Sequence, residues 1–115
     1  MKMTHAHAVV WLDHHEAHII QFNADTHEDQ RIKHHGNDRA AEFYHAIAAT
    51  LKGVSEILIA GPSSAKTELI KHLESHDPAI AKAVLGVESA DHPTDGQLLA
   101  HARSYFKAKD RMLAH

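Results

Sequence analysis

The stretch Glu56–Leu73, EILIAGPSSAKTELIKHL, decides the fold. Ile57, Leu58, Ile59 and Ala60 are apolar at consecutive positions, which suits a short strand covered on both faces of a sheet. Gly61-Pro62-Ser63-Ser64 then breaks the chain with turn-forming residues. Ala65, Leu69, Ile70 and Leu73 recur at helical spacing, so a helix follows. A buried strand, a tight turn and a helix are the core of an α/β domain. The turn lies at the strand's carboxyl end, where open α/β sheets receive ligands.

Upstream, Ala6–Asp13 (AHAVVWLD) reads as a first strand, with Val9 and Trp11 on one face and Val10 and Leu12 on the other. Asp13-His14-His15-Glu16 is a polar turn, and Ala17–Phe22 (AHIIQF) returns as a hairpin. His27–Lys33 (HEDQRIK) is polar, as expected of a strand at a sheet edge. A break follows at His34–Asn37, and Asn37 or Asp38 is placed to cap a helix. Its stripe is Ala40, Phe43, Tyr44, Ile47, Ala48 and Leu51, and Gly53 ends it.

Downstream, Asp77-Pro78 closes the second helix and can begin a single turn of another. Ala83–Glu88 is the last strand, Asp91-His92-Pro93 a loop. Thr94-x-x-Gln97 is a capping box opening a final helix with Leu98, Leu99, Ala102, Tyr105 and Phe106 inward. The order β-β-β-α-β-α-β-α predicts an α/β fold with a mixed five-stranded sheet and flanking helices, the order of the ribonuclease H-like group.

The 115 residues amount to one domain, residues 1–115, and 43% apolar content excludes a disordered chain. The absence of cysteine excludes a disulfide scaffold and any thiolate metal site. His and Asp interrupt the apolar run near the N-terminus, which is not the pattern of a signal peptide, and no segment reaches the ~20 apolar residues of a membrane span. The expectation is a cytoplasmic protein without a membrane partner, with homo-oligomerisation left open. Twelve basic against fifteen acidic residues, a formal charge of −3, argue against a general nucleic-acid binder. Fourteen histidines are the anomaly, because their protonation in mild acid would cancel that deficit.

If strands one, three, four and five are parallel, and strand two runs antiparallel between one and three, the carboxyl ends share one rim. That rim would hold Asp13, His14 and His15; His34, His35 and Gly36; Gly61, Pro62, Ser63 and Ser64 with Lys66; and Asp91 and His92. The first turns of the long helices point there too, and their N–H groups favour anions such as phosphate.

The Ile-Ala-Gly-Pro-Ser-Ser-Ala-Lys run, after the early hairpin AVVWLDHHEAHIIQF, resembles the middle domain of archaeal and eukaryotic peptide-chain release factors and of Pelota. It also resembles small stand-alone bacterial relatives described as translational machinery proteins. Gly61, Pro62 and Lys66 match the Gly-Pro-x-x-x-Lys turn of that domain, whose fold is ribonuclease H-like. Release factors carry Gly-Gly-Gln in a long loop between the third strand and first helix. Here that connection is only Lys33-His34-His35-Gly36-Asn37, without the tripeptide, which Pelota-type domains also lack. The resemblance therefore implies a non-enzymatic module contacting ribosomal RNA or a ribosome-bound partner. Lys33, His34, His35, Arg39 and Lys66 would supply phosphate contacts beside the Gly61–Ser64 turn.

Other chemistries compete with that reading. Gly61–Thr67 falls short of a phosphate-binding loop: three residues instead of four precede Ala65, where the second glycine should stand. A tight turn whose serine caps the helix explains it better. Asp13, Asp91 and Asp95 are the set a divalent-metal nuclease would need. A histidine-rich metal-binding protein is the main alternative, with Asp13, His14, His15, Asp91 and His92 as ligands for Zn, Ni or Cu and with no other cofactor expected. His34 and His35 share that edge, and His72 and His76 stand one helical turn apart, a spacing that also chelates. His5 and His7 alternate with Val9 and Trp11 as core or edge histidines.

Overall fold

The apolar alternation of three strands divides the interior into two cores. A computed structural model describes residues 6–36 and 39–113, with side chains through residue 110. The elements are β1 (His7–Leu12), β2 (Glu16–Phe22), β3 (His27–Lys33), α1 (Ala40–Thr50), β4 (Glu56–Gly61), α2 (Ala65–His76), α3 (Pro78–Ala83), β5 (Val84–Ser89) and α4 (Asp95–Leu113). Their sheet order is β3-β2-β1-β4-β5. β2 is antiparallel to both β1 and β3, while β1–β4 and β4–β5 are parallel. Thus β1, β3, β4 and β5 end at the same rim, as the expected mixed sheet requires.

Side chains alternate across a pleated strand, so neighbours in β1 enter different layers. Ala8, Val10 and Leu12 pack with Ile57 and Ile59 beneath Phe43, Ile47, Leu69 and Leu73 of α1 and α2, and Ile80 of α3. Val9 and Trp11 pack with Leu58 and Ala60 beneath Leu98, Leu99, Ala102 and Phe106 of α4. β1 and β4 therefore read as continuous apolar runs because each is covered twice. β3 is exposed apart from partly buried Ile32, the pattern its polar sequence predicts for an edge.

Local chemistry sets the helix boundaries. Thr94 N–H donates to Gln97 Oε1 at 3.0 Å, and Gln97 N–H to Thr94 Oγ1 at 3.2 Å, the reciprocal pair of a capping box. Gly53, after the last turn of α1, has φ 84°, a backbone state that side-chain-bearing residues resist. Pro78 opens the short α3, where its missing N–H costs no helical bond. Two expectations shift. Ala40 is exposed, because α1 begins there and its inward stripe starts with Phe43. Asn37 and Asp38, expected as caps, lie outside the described residues; Arg39 occupies the cap position without a side-chain cap bond.

Candidate functional site

The carboxyl rim is a set of turns bonded to one another. Asp13 Oδ1 accepts the N–H groups of His15 and Glu16 at 2.8 and 2.9 Å, closing the β1–β2 turn. Its partial burial works to raise its pKa. The two amides, helped by the nearby imidazoles of His15 and His92, outweigh that, so the carboxyl titrates below its usual range. Asp13 is first of all a turn residue, as Asp at such positions commonly is.

From that turn the contacts spread to the other three loops. His34 N–H donates to His15 O at 2.8 Å, and His34 Nδ1 to His14 O at 2.9 Å, tying in the end of β3. His34 also stacks on Phe43, ring centroids 5.1 Å apart. His14 Nε2 lies 2.9 Å from Glu68 Oε2, and its Nδ1 lies 3.4 Å from Ser63 Oγ, which ties in the β4–α2 turn. The β5–α4 loop closes the set. Trp11 Nε1–H donates to Asp91 O at 2.6 Å, and Ala90 N–H to Gly61 O at 3.1 Å. His92 rests on the Trp11 ring at 4.5 Å, its Nε2 3.6 Å from Asp13 Oδ2.

Gly61 is required by this closeness. A Cβ there would stand 2.1 Å from the Leu12 carbonyl oxygen, inside any tolerable contact. Its absent side chain thus serves strand packing beneath the turn. The serine cap takes an unexpected form: Ser64 makes no side-chain cap bond, and the Ala65 N–H reaches Ser63 Oγ at 3.4 Å. Lys66 folds back so that Nζ donates to Ser63 O at 2.8 Å. Its ammonium buttresses the turn and keeps two further protons for an anion.

The rim brings together most of the residues read from the sequence: Asp13, His14, His34, Gly61–Ser64, Lys66, Asp91 and His92. Lys33 and His35 are exposed at its β3 corner. Arg39 departs from it, lining a groove along α1 and α2 with Glu42, His45, His72, His76 and Asp77. The rim charges are mixed, since Glu68 faces His14 and Asp13 faces His92.

The carboxylates named for a nuclease are engaged separately. Asp13 holds its turn, whereas Asp95 receives Arg31 Nη2 at 2.9 and 3.1 Å and lies 3.2 Å from His18 Nδ1. Among the described residues, three groupings place one ligand atom each within 4.8 Å of the others. They are His45–His72–Asp77, His7–Glu56–Asp110 and His18–Asp29–Asp95. None draws on Asp13, His14, His15, Asp91 or His92; of these, Asp13 and His92 approach each other at 3.6 Å, while His14 faces Glu68. In the α1–α2 groove, burial lowers the His72 pKa, as do the charges of His76 and His45, against an opposing pull from Asp77. His5 lies outside the described residues; His7 pairs with Glu56 at 2.8 Å and lies 4.8 Å from the Phe106 ring.

Sequence reasoning overlooked His18, only 5% exposed in the middle of β2, and Arg31 on β3. With Trp11, His92, Pro93 and Asp95 they surround a small recess of about 150 Å³ beside the rim. A histidine inside the apolar run AHIIQF was the available signal, because a buried imidazole needs a polar partner.

No family model matches the chain, and no curated protein does. Solved structures do. Thermoplasma acidophilum Pelota superposes with a TM-score of 0.66 at 19% identity over 82% of this chain and 30% of its own length. Saccharomyces cerevisiae Dom34, a translation termination-like factor involved in RNA quality control and interacting with Hbs1, gives 0.62 at 15% identity, covering 95% of this chain and 38% of that one. The archaeal translation termination factor aRF1 gives 0.64 at 13%, covering 95% and 40%. The chain thus spans well under half the length of each, and at these identities the likeness is one of fold.

Proposed function

We propose that this chain is a relative of the release-factor and Pelota middle domain, with the ribonuclease H-like arrangement such kinship implies. Its role is that of a translation-associated module that touches ribosomal RNA, or a ribosome-bound partner, through the carboxyl rim. The observation that carries this reading is the shared fold together with the bonded rim, where four loops form one surface. The β3–α1 connection, residues 34–39, is too short for a projecting catalytic loop and carries no Gly-Gly-Gln. The proposed role is therefore binding. Lys33 and His35 contribute exposed cationic groups at the rim, where His34 and Lys66 are held by bonds within it; Arg39, in the α1–α2 groove, is not part of that surface.

Protonation of exposed histidines adds positive charge in mild acid, so the fit to phosphate improves towards pH 6. Co-sedimentation with purified ribosomes tests the reading. Association should be stronger at pH 6 than at pH 7.5, weaken with salt, and fall at least tenfold in Lys33→Glu/His35→Glu. Three phosphate contacts would give a log–log salt slope of about −2. Failure to associate even at pH 6 and low salt would overturn the proposal.

A further inference from the structure

α1 and α2 lie side by side over the same face of the sheet, and both turn histidine towards their shared flank. Phe43, Tyr44 and Ile47 point α1 into the core, leaving His45 on its exposed edge. Leu69 and Leu73 do the same for α2, leaving His72 and His76 one turn apart on one side. His72 and His76 have ring centroids 4.5 Å apart, and His45 approaches His72 edge-on at 6.4 Å. Asp77, just past the helix end, completes the group: its carboxylate and one nitrogen each of His45 and His72 lie within 4.8 Å of one another.

One atom in this group lacks a partner. His72 Nε2 is buried and meets no hydrogen-bond partner in the protein. A buried polar atom left in that state is costly, and most such atoms are satisfied. An ion between the helices would satisfy it. Imidazole nitrogens about 2.0–2.1 Å from a tetrahedral ion stand about 3.3 Å apart, so small rotations of these side chains close the site. Arg39 borders the groove and opposes a cation, while Glu42 and Asp77 in the same groove offset it.

The other two groupings also hold a buried imidazole nitrogen without a hydrogen-bond partner, Nε2 of His7 and of His18, but are less suited on other grounds. Arg31 already occupies the Asp95 carboxylate beside His18, and His7 is closed onto Glu56 at 2.8 Å. Each also offers a single imidazole.

We propose that His45, His72 and Asp77, with His76 as a fourth donor, form a binding site for a divalent transition metal of the Zn²⁺ class that clips α1 to α2. Three imidazoles and one carboxylate are the donor set that Zn²⁺ accepts in tetrahedral geometry, and Ni²⁺ and Cu²⁺ favour the same nitrogens. The site lies away from the rim and does not rest on the ribosome-binding proposal.

The test uses the full chain without a tag, prepared without a metal column and stripped with chelator. Equilibrium dialysis against Zn²⁺ at pH 7.5, with metal quantification, should find one ion per chain at low micromolar free metal. His45→Ala and His72→Ala should each weaken uptake at least tenfold, whereas His14→Ala/His92→Ala should leave it unchanged. His45 is exposed, so its removal tests the site without threatening the fold, and circular dichroism verifies the His72 variant. NMR of the histidine ring protons should show Zn²⁺ shifting His45, His72 and His76 first. No uptake at 100 µM, or uptake equal in wild type and His45→Ala, would overturn the proposal and leave only adventitious binding by a chain with fourteen histidines.

Discussion

Two histidine-rich regions of this molecule use the same side chain in opposite ways. On the carboxyl rim, imidazoles join loops: His14 reaches Glu68, His34 reaches the His14 carbonyl, and His92 lies between Trp11 and Asp13. On the α1–α2 flank, His45, His72 and His76 gather around one another, and a buried nitrogen of His72 has no partner in the protein. Histidines with partners act as cross-links between elements distant in sequence. Histidines crowded together without enough acceptors are donors available to a ligand. An unpartnered nitrogen alone does not separate the two uses, since His7 and His18 have one as well; the difference is that His72 has other imidazoles beside it.

The difference can be broken by substitution. The largest effect is expected where the rim meets the core. Gly61→Ala would force a methyl group against the Leu12 carbonyl, 2.1 Å from its oxygen, and prise β4 from β1. A loss of about 3 kcal/mol in chemical denaturation is expected, typical of an overpacked interior. A near-neutral result would mean that the rim is not held by strand contact.

A smaller effect, opposite in sign on the two regions, sharpens the contrast. In metal-free protein, His72→Leu removes an unsatisfied polar atom and should stabilise the fold by about 1 kcal/mol. His14→Ala removes a half-exposed pair with Glu68 and should cost less than about 1 kcal/mol. Equal destabilisation by both variants would erase the distinction.

The smallest effect is in the pH dependence of stability. His72 has its pKa lowered on folding, so its contribution is complete above the unfolded value of 6.5 and declines as pH falls below it. Asp13 also has a lowered pKa, but as a carboxyl its contribution is complete above 3.8 and is lost only in stronger acid. Metal-free thermal melts from pH 8 to pH 3 should therefore soften in two windows. His72→Leu should flatten the upper one and Asp13→Asn the lower.

Much of the architecture could be read directly from the chain. The alternation in AHAVVWLD assigned Val9 and Trp11 to one layer and Val10 and Leu12 to the other, and the cores divide accordingly. Polar HEDQRIK marked the edge strand, and Thr94-x-x-Gln97 marked the start of α4. The gathering of four loops on one rim followed from strand direction alone. The convergence of donors was less legible: a shared edge suggested Asp13, His14, His15, Asp91 and His92, while the three groupings of close ligand atoms among the described residues lie elsewhere, one of them joining His45 of α1 to His72 of α2 and Asp77. Only the pair His72 and His76 was visible beforehand, from its one-turn spacing.

What the amino-acid order determined by itself was which residues face a core and where elements begin and end. Burial periodicity and capping act over a few residues and leave a local imprint. Tertiary structure alone decided that His14 would meet Glu68, fifty-four positions away, that Lys66 would bend back onto Ser63, and that His45 would stand beside His72. Such pairings depend on how packed elements sit against each other and on which rotamer each side chain then adopts. No short-range period in the chain encodes either.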